Sequence, residues 1–265
     1  MDEAEILIER HGEIEIVTLN RPSALNTLSE GLTGALTEYF SSLPNRLDVR
    51  VIILRANGRA FCAGLDLGGW KREEGVTPAL HILQVQTRIG NIYRLMRACP
   101  QPIIALGHGA ACGGGFSLLL ASDVRLGSPD LRMNAAYIKV GLGGCDMAAS
   151  YLLPRLVGSS LAAEMLLTGR FVRAQRALRL GLLSEVIEHS ALLDAAKSLA
   201  REMLLTSPWG LRLTKQAMNL NLDAPSMEAT MALEDRQQVL LSVTQDHQEA
   251  VSSFFEKRAP IYRGN

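Results

Sequence analysis

The sequence predicts an α/β chain: a layered core of strands and helices, then a wholly helical tail. Three observations carry that expectation. Short β-branched runs alternate with amphipathic helical patterns over the first two-thirds of the 265 residues. Between two of those runs a helix is led in by three successive glycines, in ACGGGFSLLLA (111–121). From about Leu192 the strand patterns stop and helical ones continue to Phe255. The division is expected at 195/196, with residues 1–195 as the core that carries the site and 196–265 as a helical oligomerisation region.

Taken in order, ILIER and EIEIVTL flank the turn letters HGE and read as a hairpin. After NRPSA, residues Leu25, Leu28, Leu32, Leu36 and Phe40 recur at three or four and predict one helix face. RVIILR (50–55) is a short β-branched run, read as a buried strand. Val85, Ile89, Ile92 and Met96 mark a second helix, stopped by Pro100 and Pro102. PIIALG (102–107) and DVRLG (123–127) are further strands, with the glycine-led helix between them. In the tail, SPWGLRLTKQAM begins a helix with a Ser cap and Pro at the first helical position.

Composition narrows the function classes. Hydrophobic residues make up 48% and charged residues 20%, a globular profile. Lys plus Arg equals Asp plus Glu at 27 each, so no net field draws the chain to nucleic acid or to a membrane. The amino terminus MDEAEILIER is acidic and lacks a signal peptide's apolar core, and no apolar run approaches the roughly 20 residues of a span. The four cysteines, at 62, 99, 112 and 145, show no CxxC spacing, and the five histidines form no HExxH. A cytoplasmic protein without a metal site is expected.

Glycines at a strand-to-helix junction have two readings. They allow backbone to pack on backbone, or they leave bare the first helical N–H groups, where a negatively charged oxygen can sit. GRAFCAGLDL (58–67) also follows a buried strand and also joins small residues to a turn. Two such loops can offer two amide donors to one carbonyl oxygen.

FCAGLDL, ACGGGFSLLLASD and HQEAVSSFFEKRAPIYRG, with NRPSALNTL and LLTGRFVRAQRALRLGLLSEVI, resemble the crotonase (enoyl-CoA hydratase/isomerase) superfamily over essentially the whole chain. The resemblance implies a spiral of ββα units, a C-terminal region that builds trimers or hexamers, and an acyl-CoA or enoyl-CoA substrate of the kind met in fatty acid metabolism. No cofactor is implied beyond the coenzyme A of the substrate. It further implies an oxyanion hole made by the N–H groups of Leu65 and Gly114. Arg21, Ala24, Ala63, Asp66, Leu67 and Lys257 match coenzyme A-binding positions, although Arg21 and Lys257 read equally as solvated surface charge. Asp66 reads as an acceptor that fixes its loop.

The family's two hydratase glutamates fall on Ser117 and Tyr137, so both acids are absent. Ser and Tyr are poor bases at neutral pH, and losing an acid/base group costs about 10²–10⁴-fold. Tyr137 is expected to donate a proton or to line the acyl pocket. In VGLGGCDMAASYLLPRLVG, Asp146 resembles the second acid of dienoyl-CoA isomerases and the nucleophile of 4-chlorobenzoyl-CoA dehalogenases. It also reads as a helix N-cap. His108 reads either as reaching the pocket or as a hydrogen-bonding residue of a buried turn. Trp70, within 68–81, either lines the acyl pocket or packs on the body. Arg170, Arg173, Arg176 and Arg179 read as a solvated helix face. Three functions stay open: an enoyl-CoA hydratase/isomerase-class enzyme, an Asp146-dependent isomerase, dehalogenase or thioester hydrolase, and a non-catalytic acyl-CoA binder.

Overall fold

The computed structural model describes residues 4–72 and 74–265. Met1 to Glu3 of the acidic terminus and Glu73 of the 68–81 segment lie outside the described residues. Six strands make the main sheet: β1 (Ile6–His11), β2 (Ile14–Leu19), β3 (Val51–Ala56), β4 (Ile103–Gly107), β6 (Val124–Gly127) and β9 (Glu185–Val186). Their spatial order is β1-β2-β3-β4-β6-β9, parallel throughout except for β1, which pairs antiparallel with β2. The hairpin turn between β1 and β2 uses Gly12 at φ 64°, a backbone conformation that glycine adopts without a Cβ clash.

Both faces of this sheet are covered, which is why β3 is nearly continuous Val/Ile/Leu. Along β3, Ile52 and Leu54 face the large core with Val17, Leu19 and Ala105, while Val51 and Ile53 face a second cluster with Ile14, Ile16 and Ile104. Helices α1 (Glu30–Ser42), α2 (Pro78–Ala98) and α3 (Gly114–Ala121) supply the large core. A second sheet of β5 (Ala110–Cys112), β7 (Arg132–Asn134) and β8 (Val172–Arg173) has the order β5-β7-β8 and lies beside α3. Helices α4 (Ala149–Val157), α5 (Ser159–Thr168) and α6 (Ala174–Arg179) follow.

One expectation is corrected. The helix read from Leu25 starts at Glu30: Ser29 caps it by accepting from the Leu32 N–H at 3.1 Å, and Leu25 and Asn26 are left-handed at φ 53°. Leu28 instead bridges to Leu65. The 195/196 division falls within α7 (Leu192–Leu204), whose Leu192, Ala196 and Ala200 are buried on the second face of the sheet. The change of character comes one loop later, at α8 (Pro208–Asn221), capped by Ser207, and continues through α9 (Met227–Ser242) and α10 (Gln245–Glu256).

Candidate active site

The glycine run does more than one job. Gly113 sits at φ 50°, ψ −117°, outside the regions that L-residues favour. A Cβ on Gly115 would stand 2.1 Å from the Cys62 carbonyl oxygen, so α3 can pass the 61–64 loop only without a side chain. Backbone packing and an open helix start are therefore the same feature. The two loops are also stitched directly: Cys62 N–H donates to Ala110 O at 3.1 Å and Cys112 N–H to Cys62 O at 2.9 Å.

The stitching fixes where the Leu65 amide points. Leu28 N–H donates to Gly64 O at 2.8 Å, and Asp66 N–H donates to Leu28 O at 3.2 Å. In an extended segment alternate peptides face opposite edges, so the Leu65 N–H is turned from Leu28 toward the edge where Gly64 approaches Cys112 and Gly113. Gly114 is the first residue of α3. Neither the Leu65 nor the Gly114 N–H donates to any of the described residues. Both residues line one cavity of about 120 Å³, together with Ala63, Leu67, Tyr137 and Asp146. Two free donors on one apolar cavity, one at a helix N-terminus, can hold an oxygen that gains negative charge.

The serine and tyrosine at the family's acid positions satisfy each other. Ser117 Oγ lies 2.7 Å from Tyr137 Oη, and Tyr137 Oη donates to Gly113 O at 3.2 Å. The carbonyl can only accept, so the Ser117 hydroxyl donates to the tyrosine oxygen. Ser117 is fully buried, and burial holds the Tyr137 phenol well above its usual range despite that hydrogen bond. Tyr137 is on the cavity wall; Ser117 is behind it.

Asp146 is not a helix cap. Helix α4 begins at Ala149, after an Ala148 that makes no side-chain cap bond. Met147 and Ala148 are both left-handed, at φ 48° and 63°, strain that non-glycine residues hold at about 1–3 kcal/mol each. That turn aims Asp146 into the cavity. Its Oδ1 accepts from Met147 N–H at 2.7 Å and from Gln86 Nε2. Gln86 and Met147 line the same cavity and were missed in the sequence, as was Tyr93, whose hydroxyl donates to Gly114 O at 2.9 Å. Gln86 is one polar letter on a helix, and Tyr93 follows Ile89 at core spacing, so neither carries a signal.

The coenzyme A candidates divide. Ala63, Leu65 and Leu67 line the cavity. Asp66 turns away and accepts from Arg21 Nη2 at 3.2 Å, while Arg21 Nη1 donates to Thr27 O at 2.6 Å. The carbonyl of Ala24 is taken by Thr27. Lys257 ends α10 in a left-handed, exposed cap and is absent from the cavity wall. Trp70 packs on the body, donating to Leu28 O at 3.1 Å. His108 bonds Gly58 O at 2.9 Å in a buried turn, where burial lowers its pKa. Arg176 of the arginine cluster meets Glu164 at 2.7 Å. Among the described residues no three His, Cys, Asp or Glu gather as a metal site, and no helix is long and apolar enough to cross a membrane.

Comparison with known proteins agrees with this fold. The family model described as Enoyl-CoA hydratase/isomerase matches residues 9–265. A probable enoyl-CoA hydratase of Mycobacterium bovis is 37% identical over 97% of this chain and 92% of its own. A 1,2-epoxyphenylacetyl-CoA isomerase of Escherichia coli is 30% identical over 94% of both chains. The crystal structure of a probable enoyl-CoA hydratase/isomerase from Mycobacterium abscessus superposes with a TM-score of 0.92 at 33% identity, over 99% of this chain and 100% of that one. With its spiral core, glycine-led α3 and helical tail, the chain belongs to the enoyl-CoA hydratase/isomerase family.

Proposed function

We propose that the chain shifts a double bond in an enoyl thioester of coenzyme A, with Asp146 carrying the proton. Leu65 and Gly114 N–H groups take the thioester oxygen. One observation supports this above others: Asp146 is the only carboxylate among the described residues on the cavity wall that also carries both free amides. In a 3-enoyl thioester the carboxylate removes a proton from the α-carbon. The electron pair delocalises onto the thioester oxygen, and the two amides hold that charge, at roughly 2.7–4 kcal/mol of barrier per donor. The same carboxyl then returns the proton to the γ-carbon, and the double bond becomes conjugated. No water enters. Hydration asks for a second group to activate water, and the hydroxyls at 117 and 137 are engaged with each other.

Ala63 and Leu67 flank the thioester, and Ala24, Arg21 and Asp66 shape the neighbouring loop. Lys257 is reserved for the nucleotide phosphates. Exposed apolar side chains on α9, on the turn after it and on α10, among them Leu240, Val243 and Phe254, are the surface through which copies assemble as a trimer or a pair of trimers. The absence of a membrane-crossing helix among the described residues suits a cytoplasmic enzyme.

The test follows the ultraviolet absorbance of the conjugated thioester. A short 3-enoyl-CoA should gain that absorbance with the parent chain, and Asp146→Asn should lower kcat/KM by about 10²–10⁴-fold while coenzyme A still binds. Equal rates in the two proteins would overturn the assignment. So would rapid hydration of crotonyl-CoA by the Asp146→Asn chain.

A further inference from the structure

The cavity that carries the two free amides, about 120 Å³, is well below the roughly 300–1,000 Å³ of sites that enclose a whole small molecule. The remainder of an acyl chain needs another place. Beyond Gln86, Asp146 and Met147, which line both spaces, lies a cavity of about 570 Å³ between α2, α4 and α8. That volume is within the range of about 300–1,000 Å³ typical of small-molecule sites.

Its lining is apolar where Tyr93, Met147 and Leu152 stand, and cationic along α2, where Gly90, Arg94 and Arg97 follow one another by helical turns. Arg97 meets Asp123 at 3.2 Å and also bonds Asn219. Asp146 is held by Gln86 and Met147. Arg94 has no carboxylate partner among the described residues. Its guanidinium lies back over Gly90, where an added Cβ would stand 3.4 Å from Nη1. Glycine inside a helix weakens it relative to alanine, and here the missing side chain gives the guanidinium a bed on the cavity wall. A planar fork of donors on a partly apolar wall is suited to a carboxylate.

We infer that this second cavity receives the distal part of the acyl group, and that Arg94 selects acyl groups ending in a carboxylate. The inference rests on seating the thioester at Leu65 and Gly114, as in the proposed function. Calorimetric titration of hexanoyl-CoA against the mono-CoA thioester of hexanedioic acid tests it. The diacid thioester should bind about tenfold or more tightly. In Arg94→Met the ratio should fall to near one, and Arg94→Lys should keep part of it. A ratio near one in the parent chain, or an unchanged ratio in Arg94→Met, overturns the inference. Saturated thioesters undergo no double-bond shift, so the ratio is independent of Asp146. A chain that prefers the diacid yet never isomerises a 3-enoyl thioester would refute the proposed chemistry and leave the tail pocket standing; the reverse result would do the opposite.

Discussion

Helix α3 is apolar in nearly every letter and helix α9 in only half of its letters, and they occupy opposite environments. All eight residues of α3, from Gly114 to Ala121, are buried. In α9, sixteen residues long, Gln237 alone is buried, while Met227, Val239 and Leu240 face outward. A helix that is apolar all round belongs inside a core. A helix that shows its apolar side to solvent is waiting for a partner. The first helix lines the candidate site within one chain; the second carries the surface proposed above for assembly. Mutations should separate these roles.

The largest effect is expected at the start of α3. Gly115→Ala puts a Cβ 2.1 Å from Cys62 O, and backbone on both sides cannot yield without moving the two free amides. Such overpacking costs about 3 kcal/mol or more, which lowers the melting temperature by roughly 10 °C for a chain of this size. Coenzyme A binding should be lost with it. A melting curve matching the parent's would mean that the two loops are less closely welded than described.

Helix α8 lies between the extremes, because one buried residue pins it to the core. Lys215 Nζ meets Asp123 at 2.8 Å and donates to Gln101 O at 2.8 Å. Lys215→Met should destabilise the chain by about 3 kcal/mol, since Asp123 loses one of its two cationic partners, keeping Arg97 and the Ile103 N–H, and two carbonyls lose their donor. Denaturant titration reads this loss; an unchanged midpoint would show that α8 is held by its apolar contacts alone.

The smallest effect on the single chain is expected on the outer face. Leu240→Glu with Val243→Glu should change the stability of the isolated chain by less than about 0.5 kcal/mol, and should shift sedimentation toward a monomer. A parent-like sedimentation coefficient in the double variant would move the assembly surface elsewhere.

The same contrast explains what could be read beforehand. The helix cap at Ser207 bonds locally, and the β-branched runs of β2, β3 and β4 follow from burial on both faces, so these elements were legible. Leu25 fits a helical period but is taken up by the left-handed turn that delivers Leu28 to Leu65, a contact across the fold. Three-residue strands such as β5 and β7 are set by pairing with each other rather than by their own letters. At the site, the glycines were visible because they depart from ordinary composition, and the missing acids only through the resemblance to the family's hydratases. Gln86 and the strained pair Met147–Ala148 were not, because their part lies in where α2 passes the turn before α4.

The passage of Gly115 against Cys62 has one more consequence. Both unengaged amides belong to peptide groups, and the N–H is present whatever residue other than proline is written at Leu65 or 114, so ordinary substitution cannot erase them while the junction still closes. Carboxylates enjoy no such protection: each is a single letter. On the function proposed above, a scaffold of this kind can keep its anion seat through sequence drift while the proton carrier sits at a different point of the rim, at 146 rather than 117 and 137, without the architecture having to change.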